Sequence, residues 1–371
     1  MSPALSVIFP LLLFNIGFLL FLSHLRYRNG LIYFPYSKNY VGCCILLCLL
    51  ISVFATYDGD WWHYKEIVKD IYHHPNNITH LETVHIFIIK YLSFGDNYIW
   101  RLVTWSICLV FTTLSFKVLK INDLLTWCCY IVLFALYSFS TGRVAVAIAM
   151  QFYGYTYIIT HDKSFKSIFI GCFWIIISLL FHKSAFLTII PIFFSFLPLR
   201  KWQIILYFLA IPFAIIIFKK YLILFLIAGN ASDSVVRYLD QDTAKLGLAR
   251  RLMDYLFKIT VFGVYILAGI RIYIQKIDVP YYINVLFKFT TFIMLEYLVV
   301  YGALTAAGIG NSAISARILP MLLLPLVIIY AYLWNNRRYS FILLFFGLIS
   351  ILAINYRLLY AYYLYRLGTG I

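Results

Sequence analysis

Residues 165 to 198 read FKSIFIGCFWIIISLLFHKSAFLTIIPIFFSFLP, two apolar runs separated only by His182, Lys183 and Ser184. A helix that crosses a bilayer needs about 20 mostly apolar residues. Because so short a connection joins neighbouring helices only when they run antiparallel, the stretch predicts a tight pair of membrane-spanning helices. His182 would then stand at the turn between them, at one face of the bilayer.

The same kind of run recurs along the whole chain of 371 residues. Candidate spans lie near residues 4–22, 41–57, 98–116, 124–140, 144–160, 165–181, 185–198, 203–218, 254–274, 282–302, 317–334 and 339–358. We therefore expect an all-α polytopic integral membrane protein of about twelve transmembrane helices, with residues 1–371 forming one transmembrane domain.

The composition excludes a soluble globular protein, because 64% apolar residues, 12% charged residues and a mean hydropathy of +0.90 leave too little polar surface. An aromatic share of 20% suits interfacial belts and an interior that contacts a polar ligand. The net charge of +16 does not indicate nucleic acid, since the basic residues lie in short connections between apolar runs. All seven cysteines lie inside apolar runs, so neither a disulfide framework nor a metal site is expected.

The connections alternate in charge, which gives the helices a direction. Those that include Lys117, Arg200 and Arg337 are rich in lysine and arginine and are predicted to be cytoplasmic. The outer side then holds long loops at about 57–97 and 219–253, a further loop at 303–316 and most of the acids. These outer loops also carry many basic residues, which indicates an anionic ligand on that side.

Two short apolar stretches, residues 86–94 and 221–228, are too short to span a membrane. Interfacial or re-entrant helices are expected at both places.

Arg143 opens the fifth run, and the spacing of four places Arg143, Ala147 and Gln151 on one helix face. It could approach a ligand closely, or it could be an arginine that snorkels at a helix end. His182 lies on the same predicted outer side, as a functional histidine or as a capping one.

Asp60 and Tyr64 would lie one turn apart if the segment after the second run is helical. With Trp61 beside them they suit a sugar-binding platform, and the alternative is an acidic turn with interfacial tryptophans. Residues 302–316 are small and glycine-rich and lead to Arg317, a pattern that lets backbone N–H groups approach phosphate. The alternative there is a flexible turn with a snorkelling arginine.

Arg250 and Arg251 lie in the second long loop among interspersed acids, a pattern that alone indicates a solvated face. Five histidines lie in the first outer loop: His63, His73, His74, His80 and His85. No metal is expected there, because the chain has no HExxH motif and the spacings do not converge on one helix face.

Taken in order, several short segments resemble the EpsG family of Wzy-type polysaccharide polymerases, which make O-antigen, capsule or exopolysaccharide. The segments are Asp60-x-x-x-Tyr64, Leu81-Glu82, Arg143-Val144-Ala145-Val146-Ala147, Phe181-His182-Lys183-Ser184-Ala185, and Arg317 with Tyr330. The resemblance runs over about residues 50–335, and Val144 departs from the glutamine that commonly follows the arginine.

The resemblance implies a membrane glycosyltransferase without a cofactor. It would join oligosaccharide repeat units carried on undecaprenyl diphosphate, at the periplasmic face of a bacterial inner membrane. A relation to the GT-C-type membrane glycosyltransferase architecture and a chain-length regulator as partner are further expectations.

Roles for individual residues follow from that chemistry. We expect Arg143 and Arg317 to bind the diphosphate with help from Arg250 or Arg251, because arginine stays charged and forks onto phosphate. His182 or Asp60 is expected to accept the proton of the attacking hydroxyl. The expected sugar-binding residues are Tyr64, Trp61 and Glu82.

Two other functions compete with polymerisation. A flippase or exporter of lipid-linked oligosaccharide would place charges near the bilayer midplane and often shows repeated halves. Here Lys288 and Glu296 are the main charges within the predicted spans, and no repeat is visible. A ligase or acyltransferase would use the same arginine and histidine chemistry with another acceptor.

Overall fold

The computed structural model describes residues 3–29, 31–33, 38, 40–54, 59–74, 81–135, 142–161, 164–227, 248–275, 278–306, 313–335 and 339–369, and at several helix ends the side chains lie outside the described part. Within these ranges the fold is almost entirely helical, as an apolar chain in lipid requires, because helices satisfy their own backbone hydrogen bonds.

The first half of the chain holds one β-hairpin and seven helices among its described residues. They are α1 (Pro3–His24), β1 (Arg26–Arg28), β2 (Leu31–Tyr33), α2 (Val41–Phe54), α3 (Gly59–His73), α4 (Thr83–Phe87), α5 (Asn97–Val118), α6 (Leu124–Tyr130) and α7 (Gly142–Thr160). The strands pair antiparallel with Tyr27 opposite Ile32, an addition to the predicted all-α fold. Helices α4 and α6 continue as π-helical turns, Ile88–Leu92 and Ile131–Ala135.

The second half follows with α8 (Phe165–Phe181), a 3₁₀ turn (Lys183–Thr188), α9 (Ile189–Ser195), α10 (Lys201–Ile227), α11 (Leu248–Gly269), a π-helical turn (Ile270–Ile274), α12 (Tyr281–Ala306), α13 (Ala313–Asn335) and α14 (Ser340–Thr369). Each of the twelve predicted apolar runs overlaps one of the helices or helical pairs. Among the residues that the structure describes, three helical stretches are long and apolar enough to cross a membrane, namely Asn97–Val118, Lys201–Tyr221 and Tyr281–Ala306, and several shorter apolar helices accompany them. The count of twelve crossings and the GT-C relation stay predictions.

Helices occupy part of each segment predicted as an outer loop. A separate short helix was expected at residues 221–228, which the structure describes up to Ile227. This prediction is wrong, because α10 runs through Lys219 and Lys220 to Ile227 without a break. Lysine is a good helix former, and no glycine or proline interrupts the apolar sequence there. The short helix expected near residues 86–94 is present as α4 and its π-helical turn.

Helices α7 and α8 form the hairpin that positions the candidate site. They cross at Gly154 and Gly171, where a Cβ on Gly171 would come within 2.7 Å of the Gly154 carbonyl oxygen. Close backbone approach through small residues is the usual way helices associate in lipid. Because the two helices of this hairpin run in opposite directions, the first turn of α7 and the last turn of α8 lie on the same side of the protein. Helix α7 also packs against α5.

Candidate functional site

Four polar side chains meet where several helices begin or end. Tyr64 lies in the second turn of α3, Glu82 directly precedes α4, Arg143 is the second residue of α7, and His182 is the link between α8 and the 3₁₀ turn. The predicted one-turn spacing of Asp60 and Tyr64 is confirmed at the backbone, since α3 covers both. A single cluster is thus built from four separate parts of the chain.

Arg143 lies at the centre of this cluster. Its Nε donates a hydrogen bond to the Tyr64 hydroxyl at 2.9 Å, and its Nη1 donates to Glu82 Oε2 at 2.7 Å. The guanidinium carbon lies 5.1 Å from the centre of the Tyr64 ring. The Arg143 and Glu82 side chains are only 13% and 10% exposed, so the ion pair is weakly screened by water. Two bonds from two different nitrogens fix the guanidinium plane.

His182 faces the other oxygen of Glu82, with 3.9 Å between Nε2 and Oε1. Its Nδ1 accepts a hydrogen bond from the Ser184 backbone N–H at 3.1 Å and lies 2.6 Å from the Ser184 hydroxyl. A backbone N–H can only donate, so Nδ1 carries no proton in this arrangement. Neutral His182 therefore carries its proton on Nε2 and presents a donor toward Glu82.

An aromatic wall backs the cluster. The Tyr64 ring lies 5.3 Å from Trp100, and the buried His85 ring lies 5.8 Å from both Trp100 and Phe181, edge to face. His85 Nε2 donates to the Phe181 carbonyl at 3.1 Å. Burial, together with the positive charge of Arg143, lowers the pKa of His85 to about 3, so its imidazole is neutral.

Gln151 holds the turn after His182 against α7. Its Nε2 donates to the Ala185 carbonyl at 2.9 Å, and its Oε1 accepts from the Thr188 hydroxyl. Gln151 lies two turns below Arg143 on the predicted face, so one face of α7 contributes the guanidinium and also fixes the backbone beyond His182.

The remaining predicted residues have side chains outside the described part of the structure. These are Asp60 and Trp61 in α3, Arg250 and Arg251 in the first turn of α11, and Arg317 near the start of α13. Tyr330 is buried between α13 and α14, where its hydroxyl donates to the Leu343 carbonyl.

The sequence does not single out three further residues, namely His85 and Trp100 of the aromatic wall and Arg101, which follows Trp100 in α5. His85 was considered only as one of five loop histidines, and Trp100 and Arg101 only as part of an apolar run. Buried Arg101 donates to the Ser52 carbonyl near the end of α2. A usable signal was the position of His85 three residues after Glu82, which places both at the start of one short helix. Among the described side chains, no group of three His, Cys, Asp or Glu residues could hold a metal ion.

The family model of the EpsG family matches residues 39–366. The chain belongs to the EpsG family. Comparison with curated proteins gave no match, and comparison with solved structures gave none either. Together with its long apolar helices, the match makes this EpsG-family chain a membrane protein of the polysaccharide-polymerase type. The family match covers all four residues of the cluster, from Tyr64 to His182.

Proposed function

We propose that this EpsG-family protein is a glycosyltransferase that joins lipid-linked oligosaccharide repeat units into a surface polysaccharide. In this proposal the repeat units are carried on undecaprenyl diphosphate, about twelve helices cross the bacterial inner membrane, and the site faces the periplasm. The observation that carries the proposal is the cluster of Tyr64, Glu82, Arg143 and His182, because it combines an arginine for an anionic leaving group with a carboxylate that can accept a proton and an imidazole that faces this carboxylate.

Arg143 would bind the diphosphate of the donor. A guanidinium has five N–H donors, and the bonds to Tyr64 and Glu82 use one N–H of Nε and one of Nη1. Its other N–H groups, which have no hydrogen-bond partner among the described residues, suit the oxygens of a diphosphate, which leaves with the electron pair of its bond to the sugar. Arg317, Arg250 and Arg251 stay part of this proposal on the grounds of their sequence positions.

Glu82 would accept the proton of the attacking hydroxyl. Neutral His182 has its proton on Nε2, so it donates rather than accepts at that position. This argues against His182 as the general base, and we assign that role to the carboxylate between Arg143 and His182; Asp60 stays the second candidate on the grounds of its sequence position. As the acceptor oxygen bonds to the anomeric carbon, the hydroxyl proton passes to Glu82 and the carbon–oxygen bond to diphosphate breaks.

The ion pair links these two steps. An oxygen of the diphosphate that binds Arg143 competes with Glu82 for the same positive charge. Sharing the cation weakens the Arg143–Glu82 ion pair and leaves the carboxylate free to accept a hydrogen bond from the acceptor hydroxyl. Donor binding would therefore prepare Glu82 to take a proton at the moment the acceptor needs a base.

The test uses purified protein in lipid nanodiscs with a lipid-linked repeat unit. Glu82→Gln should slow elongation about 100-fold or more, the usual size of general-base catalysis, while Glu66→Gln on the exposed face of α3 should leave it unchanged. A product ladder from the unaltered protein supports a polymerase, a single transfer to another acceptor indicates a ligase, and no covalent change indicates a carrier. Equal elongation by the two glutamine variants would exclude Glu82 as the base.

A further inference from the structure

Helix α4 carries two residues that point to the same neighbour. Glu82 directly precedes its first turn, and His85 lies three residues on, with its ring fully buried against Trp100 and Phe181. Phe181 is the last residue of α8, and His182 follows it directly. Helix α4 thus contacts the end of α8 through His85 and faces His182 through Glu82.

The contact between the helices is a directed hydrogen bond. The last carbonyls of a helix have no partner within it, and the Phe181 carbonyl accepts instead from His85 Nε2 at 3.1 Å. A carbonyl can only accept, so the proton of neutral His85 is on Nε2. His85 Nδ1 is buried and has no hydrogen-bond partner in the described part of the chain. The ring therefore acts as a fixed donor, with no second bond that would let it pass a proton onward.

We propose that His85 is a positioning residue for the transfer reaction: by tying α4 to the last carbonyl of α8, it sets the separation between Glu82 and the His182 imidazole. The inference rests on the proposed function. The Phe181 carbonyl belongs to the peptide group that leads into His182, so the bond also fixes the plane from which the imidazole projects. The Ser184 N–H then fixes its rotation.

Two substitutions separate the donor from the ring. His85→Gln can place an amide N–H near the position of Nε2 but lacks the aromatic ring, whereas His85→Phe keeps a ring against Trp100 and Phe181 and lacks the donor. If the hydrogen bond sets the geometry, His85→Gln keeps at least a third of wild-type kcat, and His85→Phe loses about 10- to 100-fold in kcat with KM within about twofold.

A second readout does not depend on activity. Hydrogen exchange of the peptide covering residues 181–186 reports whether the turn is held. Exchange there should be about tenfold faster in His85→Phe than in the wild type, as for loss of one hydrogen bond. It should be close to the wild-type rate in His85→Gln.

The outcomes distinguish the two proposals. An unaltered protein that elongates nothing contradicts the proposed function, and the exchange rates still decide whether His85 holds the turn. Full activity with slow exchange in His85→Phe overturns the inference and leaves His85 a packing residue. Equal losses of activity in both variants overturn it as well, because the restored donor would then have no effect.

Discussion

Replacement of Arg143 by lysine isolates the forked geometry of the guanidinium from its charge. The Tyr64 hydroxyl and Glu82 Oε2 are bonded by two different nitrogens, at 2.9 and 2.7 Å. A lysine ammonium is a single centre on a flexible stem, so it can hold one of these partners in place and loses the other. The positive charge beside Glu82 is kept, so the carboxylate is not left buried without compensation.

The expected loss follows from the number of bonds. One hydrogen bond to a charged group is worth about 1.5–3 kcal/mol, and a loss of about 2 kcal/mol corresponds to about 30-fold in kcat/KM. Tyr64→Phe removes the hydroxyl while the ring stays under the guanidinium, so a loss of similar size is expected. We expect the lysine ammonium to stay with the charged Glu82 and to lose Tyr64, so both changes break the same Arg143–Tyr64 bond, and the double variant should be within about twofold of Arg143→Lys alone.

The assay is elongation of a lipid-linked repeat unit by protein in nanodiscs, with kcat/KM taken from the disappearance of the single unit. Tyr72→Phe is the matched control, since Tyr72 lies on the same helix with its side chain 40% exposed. Losses that multiply in the double variant would show that Arg143 and Tyr64 act independently. Wild-type rates in Arg143→Lys would refute a role for the guanidinium fork.

Two further predictions concern stability. Gly154→Ala and Gly171→Ala should each destabilise the α7–α8 hairpin by about 1–3 kcal/mol, because the added methyl group meets the backbone carbonyl of the facing glycine. Gly42→Ala is the control: a Cβ at Gly42 would have no atom within 4 Å, so this change should not lower the melting temperature. Below pH 6.5 His85 becomes protonated in the unfolded chain, whereas burial and the charge of Arg143 keep its pKa at about 3 in the folded protein. The free energy of unfolding therefore falls as the pH falls, by about 2 kcal/mol between pH 6.5 and 5. The melting temperature in detergent should therefore drop more for the wild type than for His85→Gln, and equal drops would contradict it.

The helices could be read from the sequence because each apolar run is a local property of some 20 residues. The alternation of charge between successive connections predicted that Arg143 and His182 lie on one side of the membrane. The structure brings them to the two different oxygens of the Glu82 carboxylate. The identity of that carboxylate was beyond the sequence. Asp60 and Glu82 both lie in the first outer loop, and the choice depends on how α4 folds back over a partner 61 residues away.

The tautomer of His182 shows a different limit. The donor that fixes it, the Ser184 N–H, is only two residues away, so the interaction is local. The sequence still does not determine it, because a histidine followed by Lys183 and Ser184 could equally continue a helix. The extended backbone of His182, with φ of −161° and ψ of 125°, directs its Nδ1 toward the backbone N–H of Ser184. A histidine that looked like a general base in the sequence becomes a donor once this turn is formed.

The placement of charge also bears on the choice between a transferase and a carrier. A carrier has to stabilise a charged headgroup while it passes the bilayer midplane, which requires polar groups within the spans. Lys288, one of the two charges noted there, already donates to the Leu197 carbonyl at 3.0 Å. The Arg143–Glu82 pair instead stands at helix ends, next to an imidazole whose proton faces the carboxylate. A headgroup that only passes through needs no carboxylate held at a fixed place, whereas forming a glycosidic bond requires a group that accepts the proton of the acceptor hydroxyl.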